Sequence, residues 1–262
     1  MVKISRLSSV TRIITFSFMN HFKFVITERL FFINAIITPL GLSILFYFIY
    51  ANNGPNEIAL GVVKAGLLGL WGANIWGASF ILQGEKRLGT LDYLMVSPKS
   101  IYLVLIGKSV AVVIASNISV IISFVWIQIF VGSIWEFFDL VQVIVIILAS
   151  SFSFSCIGLM VGVFFINFRQ PEILVQFLTY PIYIISGIAV QIELFPILIQ
   201  FISKTVPLYW SQRGLFEIIT NKMSITTVLF LLMIGVINLI IGSLILKKVE
   251  RRARWTGDFS KY

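Results

Sequence analysis

GEKRLGTLDYLMVSPKS, residues 84–100, is a mixed-charge interruption between two long apolar runs, 65–82 and 101–131. The solvent of those flanking runs decides the fold. Hydrophobic residues make up 58% of the 262 and charged residues only 12%, with a mean hydropathy of +1.00. A soluble domain carries about 45–50% apolar and about 25% charged residues. A chain of this length cannot hide the excess, because a folded monomer still exposes much of its surface. Lipid is therefore the solvent for most of the surface, and the fold class is all-α integral membrane.

A crossing helix needs about 20 mostly apolar residues. The runs 30–50, 65–82, 101–131, 140–166, 173–191 and 224–246 meet that need, so six spans are predicted within a transmembrane unit at 30–246. Lys64 and Lys108, near the starts of the second and third runs, are read as snorkelling to the interface. An even count puts both termini on one side. Lys3, Arg6, Arg12, Lys23 and Arg29 precede the first span, and Lys86, Arg87 and Lys99 follow the second. Arg169 follows the fourth, and Lys247, Lys248, Arg251, Arg252, Arg254 and Lys261 follow the last. The loops at 51–58 and 132–139 hold only Glu57, Glu136 and Asp139 as charges. By the positive-inside rule, the termini and the 84–100 stretch are cytoplasmic in a multi-pass plasma-membrane protein. The net charge of +9 thus sits at span ends, which argues against nucleic acid as a partner. Cys156 lies within an apolar run and reads as a small buried hydrophobe.

Three segments do not span. In residues 1–29, Ile4, Leu7, Ile14, Phe18, Phe22 and Val25 recur at helical spacing, with Arg6, Ser9, Asn20 and Lys23 largely opposite. That pattern predicts a cytoplasmic amphipathic helix in the membrane interface, a signal peptide being the rival. His21 stands alone, with no second ligand nearby, so no metal site is expected. Residues 192–222 hold two short amphipathic runs, each about half a crossing, which predicts two short re-entrant or capping helices at the outer leaflet. Phe195, Pro207, Tyr209 and Trp210 would form a clamp or an outer gate there, with both readings open. The basic tail, 247–262, is read as an anchor to anionic membrane lipid.

Within the opening stretch, Thr90 can cap a helix start, with Asp92 in the first turn. Leu88, Leu91, Leu94 and Met95 share a face at spacings of three and four. Ser97–Pro98 ends that helix and starts the next, and Gly84 and Gly89 supply the bends. The spacing fits equally a turn tucked onto the bilayer and a helix offered to another protein. Nothing in the chain supplies energy for transport. GKS at 107–109 lacks the glycine five residues earlier that a phosphate-binding loop needs, since Tyr102 stands there. No Asp, Glu or His occurs in the uncharged cores of the spans, which disfavours proton coupling.

GEKRLGTLDYLMVSPKSIYLVLIGK, residues 84–108, resembles the signature region of ABC type-2 permeases, the membrane subunits of ATP-driven exporters. Glu85, Gly89, Thr90, Leu91, Leu94, Ser97, Pro98, Gly107 and Lys108 carry the match, and NFRQPE and SGIAVQIELFP continue it. Arg87 stands where a second acid is common, and Val206–Pro207 where Asn–Pro is common. The resemblance implies a coupling helix at about 85–97 docked into a separate ABC ATPase subunit, with ATP and Mg2+ bound by that partner and no cofactor on this chain. Glu85, Arg87, Leu88, Gly89, Thr90, Leu91, Asp92, Tyr93, Leu94, Ser97 and Pro98 would form the docking site. Leu91 and Leu94 would bury against the ATPase, with Glu85 pairing with Lys86, Arg87 or a partner base. It also implies a second permease subunit, identical or not, and export of a hydrophobic or amphipathic cargo such as a drug, an antimicrobial peptide or a lipid-linked molecule. Asn34, Asn74, Asn117, Gln128 and Gln176 sit within spans, where they either line a path or bond helices together. A standalone secondary transporter or channel, or a membrane scaffold, remains the alternative.

Overall fold

The computed structural model describes residues 2–97, 101–130, 137–166, 168, 170–188, 190, 192–219 and 224–256, and every regular element among them is helical. In chain order the helices are α1 (Val2–Thr27), α2 (Arg29–Tyr50), α3 (Pro55–Arg87), α4 (Leu91–Val96) and α5 (Ile101–Phe130). They continue as α6 (Phe137–Phe164), α7 (Pro171–Ile185), α8 (Ile197–Thr205), α9 (Pro207–Ile219) and α10 (Ile225–Thr256). Among the described residues α2, α3, α5, α6 and α10 are long and apolar enough to cross a membrane. Pro98, Lys99, Glu136, Arg169 and Lys261, used in the sequence reading, lie outside the described residues.

Helix α3 is the axis of the bundle, with α2, α5 and α6 packed around it. Pro55 starts it, the missing N–H costing nothing in a first turn. Its 33 residues reach about 50 Å at 1.5 Å per residue, well beyond the predicted span at 65–82. Lys64 is consequently buried inside the helix rather than snorkelling at a start. Close packing depends on glycine where backbones meet. A Cβ on Gly162 of α6 would come within 2.5 Å of the Ser79 carbonyl oxygen of α3. Larger residues there would force the two helices apart, as expected for small-residue contacts between membrane helices.

Two of the long helices are not uniform. Pro39 in α2 has no N–H to give to the preceding turn, and the chain absorbs this in a wider π turn at Ile33–Ile37. In α5 the regular ladder breaks at Asn117, between Ile101–Ser116 and Ile118–Phe130. Asn117 Nδ2 bonds back to the Val113 carbonyl at 2.6 Å, and its Oδ1 accepts from Ser151 of α6 at 3.2 Å.

The predicted fifth span is shorter than the sequence suggests. Helix α7 has 15 residues, about 22 Å, against a hydrocarbon core of about 30 Å, and contains Pro181. Gly187, at φ +86°, turns the chain two residues after it ends. Its first turn meets the end of α3 through Glu172 and Arg87. Near its other end, Tyr183 donates to the Leu68 carbonyl halfway along α3 at 3.0 Å.

Two apolar clusters fill the bundle. The larger surrounds Trp71 and Phe154, whose rings meet edge-on at 4.9 Å, and includes Leu208, Leu215 and Ile218 of α9. The other gathers Val25, Phe31, Leu82, Leu91, Met95, Ile101, Ile166 and Leu246. The starts of α2 and α5 therefore share one end of the molecule with the ends of α3, α6 and α10. Helix α10 runs on to Thr256, so the basic run that reads as a tail forms its last turns.

Candidate functional site

The 84–97 stretch is built as a corner. Helix α3 ends at Arg87, and Gly89 takes φ +67°, a conformation open to glycine without strain. The Thr90 N–H then bonds to the Glu85 carbonyl at 3.0 Å and the Gly89 N–H to that of Lys86 at 3.1 Å. This pair of bonds satisfies the carbonyls left free at a helix end. Gly84, expected to bend the chain, is instead an ordinary residue of α3. The short helix α4 follows, and the extended ψ of 137° at Ser97 stops it.

Thr90 does not cap α4 through its side chain. Its backbone is helical, at φ −94° and ψ −13°, rather than extended, so its hydroxyl turns back and bonds to the Glu85 carboxylate. Glu85 in turn pairs with Lys108 of α5, not with Lys86 or Arg87. Both side chains are largely buried, so Lys108 neutralises Glu85 inside the protein rather than reaching to an interface. Lys86 bonds to the Ile166 carbonyl at 3.0 Å, and Gln83 to that of Phe165 at 2.8 Å. Arg87 pairs with Glu172 and lies 6.0 Å from the centre of the Phe80 ring. These contacts together bind the corner to α5, to the end of α6 and to the start of α7.

The faces of α4 differ from the sequence expectation. Leu91 and Met95 are each only 2% exposed, buried within this chain among Leu82, Ile101 and Leu105. Leu94 packs half-buried beside them. Leu88 leaves that face and is 75% exposed, while Tyr93 is 79% exposed and Asp92 half-exposed. Leu91 and Leu94 thus turn toward the apolar cluster at the end of α3 and the start of α5. The outward surface is Leu88 and Tyr93.

Beside the corner, α1, α3, α4 and α5 enclose a cleft of about 890 Å³ that reaches Glu85, Thr90, Lys108, Arg12, Asn20 and His21. Helix α1 seats on α5 where Gly107 has no side chain, since a Cβ there would lie 2.5 Å from the Ile14 carbonyl oxygen. The GKS run is therefore a helix contact rather than a phosphate-binding loop. His21 is buried at this contact, its Nε2 without a hydrogen-bond partner among the described residues. Burial first, and the Lys108 charge second, push its pKa down from 6.5 to about 3, against a bond to the Gly77 backbone that raises it. It is a neutral imidazole. Among the described residues no three His, Cys, Asp or Glu come together.

The polar residues predicted within spans do not converge. Asn34 bonds to its own helix at Leu30, 2.8 Å, and faces Gly72 of α3. Asn74 is fully buried and donates to Ser116 of α5 at 2.6 Å. Asn117 bridges α5 and α6, whereas Gln128 and Gln176 face outward on α5 and α7. Ser150 of α6 bonds to Ser211 of α9 at 2.7 Å, joining helices likewise. At the far end Phe195, Tyr209 and Trp210 are half-buried and Pro207 buried. Trp210 stacks on Phe230 of α10 at 4.4 Å and donates to the Lys204 carbonyl at 2.8 Å. Glu217 closes this end by binding Arg213 at 3.0 Å and Thr227 at 2.7 Å.

Sequence reasoning missed Glu172, Lys108 as the partner of Glu85, and the burial of Ser17 and His21 under α5. The PE pair opening a helix at 171–172 was the available signal for Glu172, as an acid in a first turn beside a basic corner.

No curated protein matches the chain. The model of the ABC-2 type transporter family matches residues 14–220, from the middle of α1 to just past the end of α9, with the whole corner inside it. A multi-pass helical protein that carries this corner between its second and third long helices, and matches that model over most of its length, belongs to the ABC-2 type transporter family.

Proposed function

We propose that the chain is the membrane subunit of an ATP-driven exporter and that α4 with its corner is the helix on which a separate ATPase acts. The family generally pairs with an ABC ATPase. The observation that carries the reading is the division of the corner into two sides. Inward, Leu91, Met95 and the Glu85–Lys108 pair fasten it to the bundle; outward, Leu88 and Tyr93 stand free of this chain. A push on Tyr93 then moves the end of α3, and with it α5 through Lys108 and α7 through Glu172. An ATPase can shift such a bundle between two states only if it binds them with different affinity.

Six crossings complete this reading. Helix α7 begins at the corner end and α10 finishes there, so the chain between 171 and 225 must traverse the bundle once more. The short α7 does so together with the turn after it, while α8 and α9 cap the far end. The bases at the corner end make that end cytoplasmic, with both termini. ATP and Mg2+ stay on the partner, and this chain performs no catalysis. A second permease subunit and a hydrophobic or amphipathic cargo, whether a drug, an antimicrobial peptide or a lipid-linked molecule, belong to the same proposal. Exposed Ile173, Phe177, Tyr180 and Ile184 along α7 supply an apolar face for one or the other.

The test is co-purification of the full chain from its own membranes in mild detergent. An ATPase should accompany the wild type and be lost with Leu88→Asp/Tyr93→Asp, while the variant still elutes as a folded protein. Retention of the ATPase by that variant would falsify the docking assignment.

A further inference from the structure

A second groove lies away from the corner, between α5, α6 and α10, with a volume of about 490 Å³. It runs from Tyr102 to Val113 on α5 and from Phe152 to Val163 on α6, about 16 Å along each axis at 1.5 Å per residue. That is half of a hydrocarbon core about 30 Å thick, the depth of one leaflet. Its walls are almost wholly apolar. Its shallow end is polar and carries both signs of charge, with the Glu250 carboxylate near Tyr102 and bases on the turns of α10 around it. Tyr102 donates to the Ser243 carbonyl at 3.3 Å, and the next turns of α10 carry exposed Lys247, Lys248 and Arg251. Lys247 stands one turn beyond Ser243, exposed at the edge of the face of α10 that lines the groove, and Arg251 is exposed one turn later. The run 247–254 holds five bases against the single acid Glu250.

We propose that this groove holds one acyl chain of an anionic phospholipid from the corner-side leaflet, with its phosphate at Lys247 and Arg251. Length selects the leaflet, and charge selects the headgroup. An apolar trough one leaflet deep, ending at bases, matches a molecule with an apolar chain of that length and a negative head. Each base near an anionic surface contributes about 1 kcal/mol, so two of them favour an anionic lipid over a zwitterionic one by roughly 30-fold. A bound lipid would wedge between α5 and α10, which meet over α6 but leave this gap between them. The proposal holds whether or not an ATPase docks on α4, since it uses no residue of the corner.

The test is native mass spectrometry of the purified, delipidated full chain titrated separately with phosphatidylglycerol and phosphatidylcholine. The wild type should retain phosphatidylglycerol roughly 30-fold better. Lys247→Ala/Arg251→Ala, at exposed positions that leave the fold alone, should reduce the two lipids to parity. Ser109→Phe, which fills the groove, should reduce retention of both. Parity in the wild type would overturn the proposal. So would an anionic preference that survives Ser109→Phe, because the lipid would then sit on the basic turns without entering the groove. Conversion of a dimer to monomers by Ser109→Phe, with lipid retention unchanged, would assign the groove to a second copy of the chain instead.

Discussion

Glu85 and Lys108 are the residues on which the corner turns. Each is largely out of water, and each is the other's partner in an ion pair. Removing one partner of such a pair costs about 3–5 kcal/mol, because it strands a buried charge, whereas replacing both can be neutral. Lys108→Met should therefore lower the melting temperature in detergent sharply, and adding Glu85→Met should recover most of the loss. Arg87–Glu172 is far more exposed and should contribute only about 0–1 kcal/mol, so its loss should alter coupling more than stability. His21 makes a separate prediction about pH. Its folded pKa of about 3 lies below the ordinary 6.5, so an unfolded chain binds the proton first as pH falls. The stability this imidazole contributes is fully present above pH 6.5 and is lost progressively below it, by about 2 kcal/mol at pH 5. Melting at pH 7.5 and pH 5 should show that loss in the wild type, and His21→Gln should flatten it.

At the scale of the element, the two glycines of the corner separate backbone need from mere flexibility. Neither has a neighbour within 4 Å of the place an added methyl group would take, so only conformation distinguishes them. Gly89→Ala must hold a left-handed residue and should cost roughly 1–2 kcal/mol. Gly84→Ala sits within α3 and should be neutral or stabilise by roughly 0.5–1 kcal/mol. Thermal unfolding of the two variants side by side reads the difference. The short helix itself was legible in the sequence, from its leucine spacing and the Gly–Thr start. Its faces were not, because periodicity shows which residues share a side and not which neighbour covers them. Leu91 faces α5 and Leu88 escapes onto the helix end. Lys108 likewise reads as a snorkelling base until α3 brings Glu85 to it from 23 positions away. Polar side chains in spans signal a protein contact, and here Asn74 and Asn117 make that contact with neighbouring helices.

For the whole molecule, the apolar runs carried the architecture. Three of the six predicted spans appear as long helices close to their expected positions, and two more, α3 and α10, appear longer. The exception is 173–191, where uncharged composition conceals a stop at Gly187. Composition counts residues that tolerate lipid, and it does not register a left-handed turn. The same bundle is fastened at one end by Glu85–Lys108 and Arg87–Glu172 around α4, and at the other by Trp210 on Phe230 and by Glu217 with Arg213 and Thr227. The most direct measurement places a photo-crosslinking amino acid at Tyr93 or at Leu91 in the full chain, in its own membranes, and identifies the adducts by mass spectrometry. Position 93 should yield an adduct with an ABC ATPase, and position 91 none beyond this chain. No ATPase adduct at position 93, or equal adducts at both, would contradict a coupling helix that grips the bundle with Leu91 and offers Tyr93 to its partner.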